Sequence, residues 1–192
     1  APETFDEMRD LAKQLTHDGN YGAYIDYTIT GNWEIQTMIE DMGGQMLTED
    51  RSAMGCETQM QQTLEFLNTL VNEDKSMPLV TNDQAVEAFK AGKIGMYISS
   101  TADLKGIQND SDFEIVTALH PTDGSGQKGA PAGGNSVYVL ESTPEEEQAS
   151  WEFVKYITSP EATAYVAQQF GYMVTRQSAY ESQELMGDYL EE

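Results

Sequence analysis

Apolar positions in the first third of the chain change period twice. In "PETFDEMRDLAKQLT", Phe5, Met8, Leu11, Ala12 and Leu15 recur at helical spacing, which predicts a helix with one buried stripe. Thr4 and Glu7 open it as a capping box, the hydroxyl accepting from a first-turn amide and the carboxylate reaching back. "YGAYIDYTI" then alternates: Tyr21, Ala23, Ile25, Tyr27 and Ile29 fall on one side, as in a strand. Helical spacing returns in "GNWEIQTMIEDMGG", with Asn32 as N-cap and Gly43 as stop. A further helix is predicted from about Arg51 to Val71, with Met60, Leu64, Leu67 and Val71 facing inward.

After a connection at Pro78, "NDQAVEAFKAGK" is a short helix ended by Gly92, and "IGMYI" is a compact apolar strand running into "SSTADLKGI". "FEIVTAL" and "SVYVL" read as two more strands, separated by the turn-rich "HPTDGSGQKGAPAGGN". "STPEEEQASWEFVKYI" has Thr143 as N-cap, Pro144 at the first helical position and Glu146 completing a capping box. "SPEATAYVAQQFG" repeats the device with Ser159, Pro160 and a Gly171 stop. The sum is an α/β fold, a small sheet flanked by several helices, read as a single domain over 1–192. A helix that begins almost at the first residue suggests a piece of something larger.

Charge narrows the function. Against 33 acidic side chains stand 10 basic ones, a net charge of −23. That argues against a nucleic-acid footprint, which needs clustered Lys and Arg, and against adsorption to an anionic membrane. The acidic surface itself speaks first of solubility. Cys56 is alone, so neither an internal disulfide nor a cysteine metal site is available. No apolar run is long enough to span a bilayer. His17 and His120 sit beside no nucleophile, and no zincin, Walker or dinucleotide motif is present. The chain therefore reads as a non-enzyme, with no cofactor and no metal.

Four places at element ends hold residues unlike scaffold. Trp33 points well away from the stripe of Ile35, Met38, Ile39 and Met42, either as a stacking or interface residue or swung under a loop. Ser99 and Ser100 follow a strand and precede a helical turn, where hydroxyls and free N–H groups converge on a ligand or simply cap. Gly133, Gly134 and Asn135 stand immediately before a predicted buried strand, giving close backbone approach or a plain turn. Tyr172 and Arg176 lie on an irregular segment past Gly171, where an exposed Arg ordinarily makes a surface ion pair. Together the four places outline the rim of a cleft.

"PETFDEMRDLAKQL", "NWEIQTMIEDMGGQMLTED", "AVEAFKAGKIGMYISSTADL", "PAGGNSVYVL" and "EEEQASWEFVKYITSPEATAYVAQQFGYMVTR" occur in that order and cover almost the whole chain. They resemble family 1 of the extracellular solute-binding proteins of ABC importers, most of all its glycerol-3-phosphate and oligosaccharide-binding branch. "GYMVTR" is similar to the family's Gly-Tyr-Leu-Pro-Val-Arg ending, with Met173 and Val174 in place of Leu-Pro. The resemblance implies one lobe of a periplasmic-binding-protein-like type II fold, here the C-terminal lobe without its N-terminal partner. It implies a cleft lined by Trp33, Ser99, Ser100, Gly133, Gly134, Asn135, Tyr172 and Arg176, which would take a sugar, oligosaccharide or glycerol phosphate. The implied partners are that solute and the transmembrane subunits of an ABC permease. The implied place is extracytoplasmic, in a periplasm or lipid-anchored at the outer face of the membrane. The competing expectation is an acidic protein-interaction module without a small ligand; a glycan hydrolase is a weaker third, since no acid–base pair can be nominated.

Overall fold

Helix α1 (Phe5–Leu15) starts at Thr4, whose hydroxyl accepts from the Glu7 N–H at 3.2 Å. The Glu7 carboxylate reaches one residue further back than a capping box requires, to the Glu3 N–H at 2.8 Å. Phe5, Met8 and Ala12 form the buried stripe. The computed structural model describes residues 1–28, 31–126, 129 and 131–191. Where the sequence reads as one α/β domain, the contacts gather into two compact units, Ala1–Ser100 with Asp110–Gly133, and Thr101–Asn109 with Gly134–Glu192.

The first unit is built on two parallel strands, β1 (Tyr21–Ile25) and β2 (Ile94–Ile98), in register from Tyr21↔Ile94 to Ile25↔Ile98. The alternation in β1 predicts one buried side, yet Tyr24 is as deeply buried as Ala23 and Ile25. Burial on both faces is the rule for parallel strands covered by helices. Ile29, assigned to the same strand face by sequence, lies outside the described residues. Helix α2 (Asn32–Asp41) begins at the predicted Asn32, but Gly31 holds the cap position and no side chain caps it. Gly43, at φ 75°, ends it as expected.

Helix α3 (Glu57–Asn68) is shorter than the sequence predicts and winds on into a wider π turn, Thr69–Glu73. Thr63, Leu67 and Leu70 are buried there, while Leu64 is 54% exposed. Thr63, polar on paper, takes the inner position that counting apolar residues assigns to Leu64. Helix α4 (Asn82–Lys90) has a capping box of Thr81 and Gln84. Met8, Ala12, Tyr24, Ile25, Leu70 and Ile94 centre the core, and Tyr24 and Tyr97 stack with centroids 5.8 Å apart.

Two expected strands do not form. Residues 113–119 and 136–140 enter no sheet among the described residues; Val116, Leu119, Tyr138 and Leu140 are exposed. An apolar run becomes a strand only beside another backbone, and among the described residues these segments pair with none.

A half-buried ion pair ties α1 to the turn after α3: Arg9 Nε and Nη2 donate to Asp74 at 2.6 and 3.1 Å. The Arg9 hydrogen bond holds the Asp74 carboxyl below its ordinary value of 3.8. A depressed carboxylate stabilises the fold above the unfolded-state pKa, and that contribution is lost as pH falls through the depressed value. Asp74→Asn is thus expected to lower the melting temperature at pH 7, and thermal scans should show the deficit shrinking as pH drops below 3.8.

The second unit is helical. It holds a short 3-10 turn (Thr101–Asp103), most of α5 (Leu104–Asp110), α6 (Pro144–Ile157), α7 (Pro160–Phe170), α8 (Gln177–Tyr180) and α9 (Gln183–Glu191). The predicted caps Thr143 with Glu146, Ser159, and Gly171 in the left-handed region are all present. Ile107 of α5 is buried, and the unit's buried cluster is small, Ala164, Ala167 and Ala179 around Met186. Tyr189 closes them over, its hydroxyl donating to the Ala167 carbonyl at 3.2 Å, with the Lys105 ammonium 5.2 Å from its ring centroid.

Candidate functional site

Parallel strands bring their carboxyl ends to one edge, where helix starts and loops supply free groups. In the first unit that edge carries Asp26, just after β1, and Ser99 and Ser100, just after β2. The Asp26 N–H donates to the Ile98 carbonyl at 3.1 Å, so the two strand ends lie side by side. Asp26 is buried, with Oδ1 accepting from the Thr28 N–H at 2.9 Å and the Thr28 hydroxyl at 2.6 Å. Gly31 sits so close that a Cβ there would overlap the Asp26 carbonyl, which places the start of α2 on the same edge.

Trp33 occupies the first turn of α2 and is 38% exposed, whereas Met38 and Ile39 on the inner face are closed to solvent. The Thr37 hydroxyl donates to the Trp33 carbonyl at 2.8 Å and stiffens that turn. Gly133 lies against the indole: a Cβ there would collide with Nε1 and Cε2. The ring is therefore braced by a loop along one edge and open over the rest, between the two alternatives that sequence leaves.

The loop that delivers Gly133 is pinned at several points. The Asp41 carboxylate at the end of α2 accepts from the Gly129 N–H. His120 Nδ1 lies 2.7 Å from the Pro121 carbonyl and 3.4 Å from Asp41 Oδ2, and its ring meets Phe5 edge-on. Backbone bonds Phe5 N–H to Thr122 O and Thr122 N–H to Glu3 O fasten the same loop to α1. Burial pushes the Asp41 carboxyl up and the His120 imidazole down, favouring the uncharged imidazole.

The remaining sequence candidates belong to the second unit. Gly134 and Asn135 are exposed on an extended stretch. Tyr172 is half exposed just past Gly171. Arg176 is exposed, but among the described residues it does not pair with a surface carboxylate. Its Nε donates to the carbonyl of Thr158, the residue that ends α6, and Nη2 lies 3.5 Å from the Thr158 hydroxyl. A cation there also suits the negative end of the helix.

The structure thus joins Trp33 to Gly133 and sets Ser99 and Ser100 at the carboxyl end of the sheet whose other strand leads to α2. Sequence reasoning missed Asp26 and Glu34, both buried at that edge. In a chain with 33 acidic residues a carboxylate carries no signal of its own. Among the described residues no three metal-binding side chains gather, and no helix is long and apolar enough to cross a membrane.

The model of a bacterial extracellular solute-binding protein family matches residues 1–188. No curated protein matches the chain in sequence. Several solved structures share its fold. UgpB from Mycobacterium tuberculosis, in complex with glycerophosphocholine, aligns with a TM-score of 0.77 at 20% identity over 100% of this chain and 50% of that one. The maltose/maltodextrin-binding domain MalE from Bdellovibrio bacteriovorus, bound to maltotriose, gives 0.80 at 23% over 99% and 52%. The GacH receptor of Streptomyces glaucescens, studied with acarbose, gives 0.80 at 21% over 99% and 50%. The chain spans about half the length of these proteins, and its small sheet with flanking helices matches one lobe of their fold.

Proposed function

Because the chain belongs to the family of bacterial extracellular solute-binding proteins, we propose that it supplies one lobe, the C-terminal one, of the two-lobe extracytoplasmic receptor of an ABC importer. The receptor holds a sugar, an oligosaccharide or a glycerol-phosphate-like solute and hands it to the permease's transmembrane subunits. The observation that carries this reading is the half-exposed Trp33 indole braced by Gly133 at the carboxyl end of parallel strands. A flat ring held in place stacks on the apolar face of a pyranose or of a similar polyol. Ser99 and Ser100 lie at the end of β2, and Gly134 and Asn135 extend the Gly133 loop with exposed polar backbone.

Tyr172 and Arg176 complete the proposed set, and Arg176 gives the reading its most discriminating test. Its planar fork has donors beyond those spent on Thr158, and such a fork suits vicinal hydroxyls or a phosphate. The similar structures were solved with glycerophosphocholine, maltotriose and acarbose. The role assigned is binding; solute contacts favour a closed state that the permease recognises. Calorimetry of the intact receptor against neutral sugars and glycerol phosphates is expected to find a tight solute. Arg176→Ala should weaken it about tenfold or more, with Arg176→Lys restoring only part. Affinity that ignores both substitutions would remove Arg176 from the site, and no binding across the panel would reject the receptor reading.

A further inference from the structure

The outer face of α3 carries an apolar strip that the core does not use. Met60 and Leu64 stand one helical turn apart, and Met54 joins them from the turn before the helix. They floor an open depression of about 470 Å³ rimmed by Glu57, Gln61 and Glu65, with no cation among its lining residues. Leu64 and Met54 are each more than half exposed, and Leu47, which pairs with Met54 across a short antiparallel bridge, is half exposed.

This face is built, not incidental. The bridge is closed by Thr48 N–H to Ala53 O at 3.0 Å. At its tip the Asp50 carboxylate accepts from the Thr48 and Ser52 hydroxyls and from the Ser52 N–H, which fixes the turn with a negative charge at its end. Gly55 passes so near Leu47 that a Cβ would come within 2.9 Å of its backbone, so the two arms of the bridge are closely apposed.

We infer that this face docks a protein segment presenting apolar side chains flanked by Lys or Arg, and, resting on the receptor reading above, that the segment belongs to the importer's permease. Contiguous exposed apolar surface on a soluble protein marks an interaction site, and methionines adapt to the shape of a partner. The sign of the rim chooses the partner. A second copy would set the same carboxylates against each other on a chain of net charge −23, and an anionic lipid surface would be repelled. A basic, apolar-tipped segment meets both the floor and the rim.

The test uses the full-length receptor and its own permease reconstituted in phosphatidylcholine vesicles. Leu64→Asp is expected to reduce receptor-stimulated ATP hydrolysis about tenfold at subsaturating receptor, while calorimetry finds solute affinity unchanged. Glu57→Lys with Glu65→Lys should act in the same direction, and added salt should weaken the wild type more than this variant. All three positions are exposed, so the variants are expected to keep wild-type circular dichroism. Full stimulation by Leu64→Asp would overturn the docking surface and leave the receptor reading intact. A wild type that binds no solute and stimulates nothing would overturn both. A dimer in light scattering that Leu64→Asp dissolves would assign the face to self-association instead. Slow maleimide labelling of Leu64→Cys in the full-length protein would show the face already covered by the rest of the chain, and would overturn the proposal too.

Discussion

Gly22→Ala is expected to destabilise the first unit by more than about 3 kcal/mol, a large part of the stability of a small domain. Gly22 is the second residue of β1, and a Cβ there would overlap the carbonyl, carbon and Cα of Ala12. What it would strike is backbone, with no rotamer to move. The helix cannot yield cheaply either, since Met8 and Ala12 are fully buried beneath it. Thr16 locks the crossing, donating its hydroxyl to the Ala12 carbonyl at 2.7 Å while accepting from the Gly22 N–H at 3.0 Å. Relief requires lifting α1 off the sheet, which exposes those side chains and breaks both bonds. Gly106→Ala is the control: it sits within α5 with open space where a Cβ would go, and alanine there should be neutral or mildly stabilising. Urea unfolding of the two variants beside the wild type measures the contrast. A Gly22→Ala midpoint equal to that of the wild type would show that α1 and β1 are not in this close contact.

Which parts of the fold were legible follows from how local their causes are. Thr143, Pro144, Glu146, Ser159, Pro160 and Gly171 act within a few residues of themselves, so their pattern in the sequence already specifies where α6 and α7 begin and where α7 stops. The cap of α4 escaped notice although it is equally local, because Gln84 does the work more often sought from Glu. Strands are different. "FEIVTAL" and "SVYVL" have strand composition, but a ladder needs a partner from elsewhere, and no window of the sequence states whether one is present. Helix α3 shows a third limit: one methylene-rich and one hydroxyl-bearing residue, Leu64 and Thr63, exchanged faces because the buried line is set by what packs on it.

The site divides in the same way. The exposure of Trp33 was readable from the angle between residues on α2, a purely local quantity. Its brace, Gly133, comes from a hundred positions away in the chain and was chosen by sequence only as a flexible residue. In sequence Arg176 reads as a solute contact or a surface ion pair, whereas its partner here is the carbonyl of Thr158, a backbone group that no side-chain inventory contains. Asp26 lies at the end of β1 in plain view, but only the register with Ile98 gives that position meaning.

Trp33→Ala should weaken solute binding by the intact receptor about tenfold to a hundredfold, the loss expected when one central aromatic platform is removed. The stability cost should be small by comparison, since the indole is not part of the hydrophobic core. Gly133→Ala tests the same ring from its other side. The added methyl must displace the indole, whose Nε1 edge occupies that space. Affinity should then fall without loss of any group that itself faces solute. If the glycine acts only through the ring, the double variant should bind no worse than Trp33→Ala alone, because the second change has nothing left to move. Tryptophan fluorescence gives an independent readout, as this chain carries two tryptophans, Trp33 and Trp151. The solute-dependent signal should fall with Trp33→Phe and stay unchanged with Trp151→Phe. Additive losses from Trp33→Ala and Gly133→Ala would mean that Gly133 contacts the solute through its own backbone. Unchanged affinity in both single variants would mean that the braced indole serves some purpose other than solute capture.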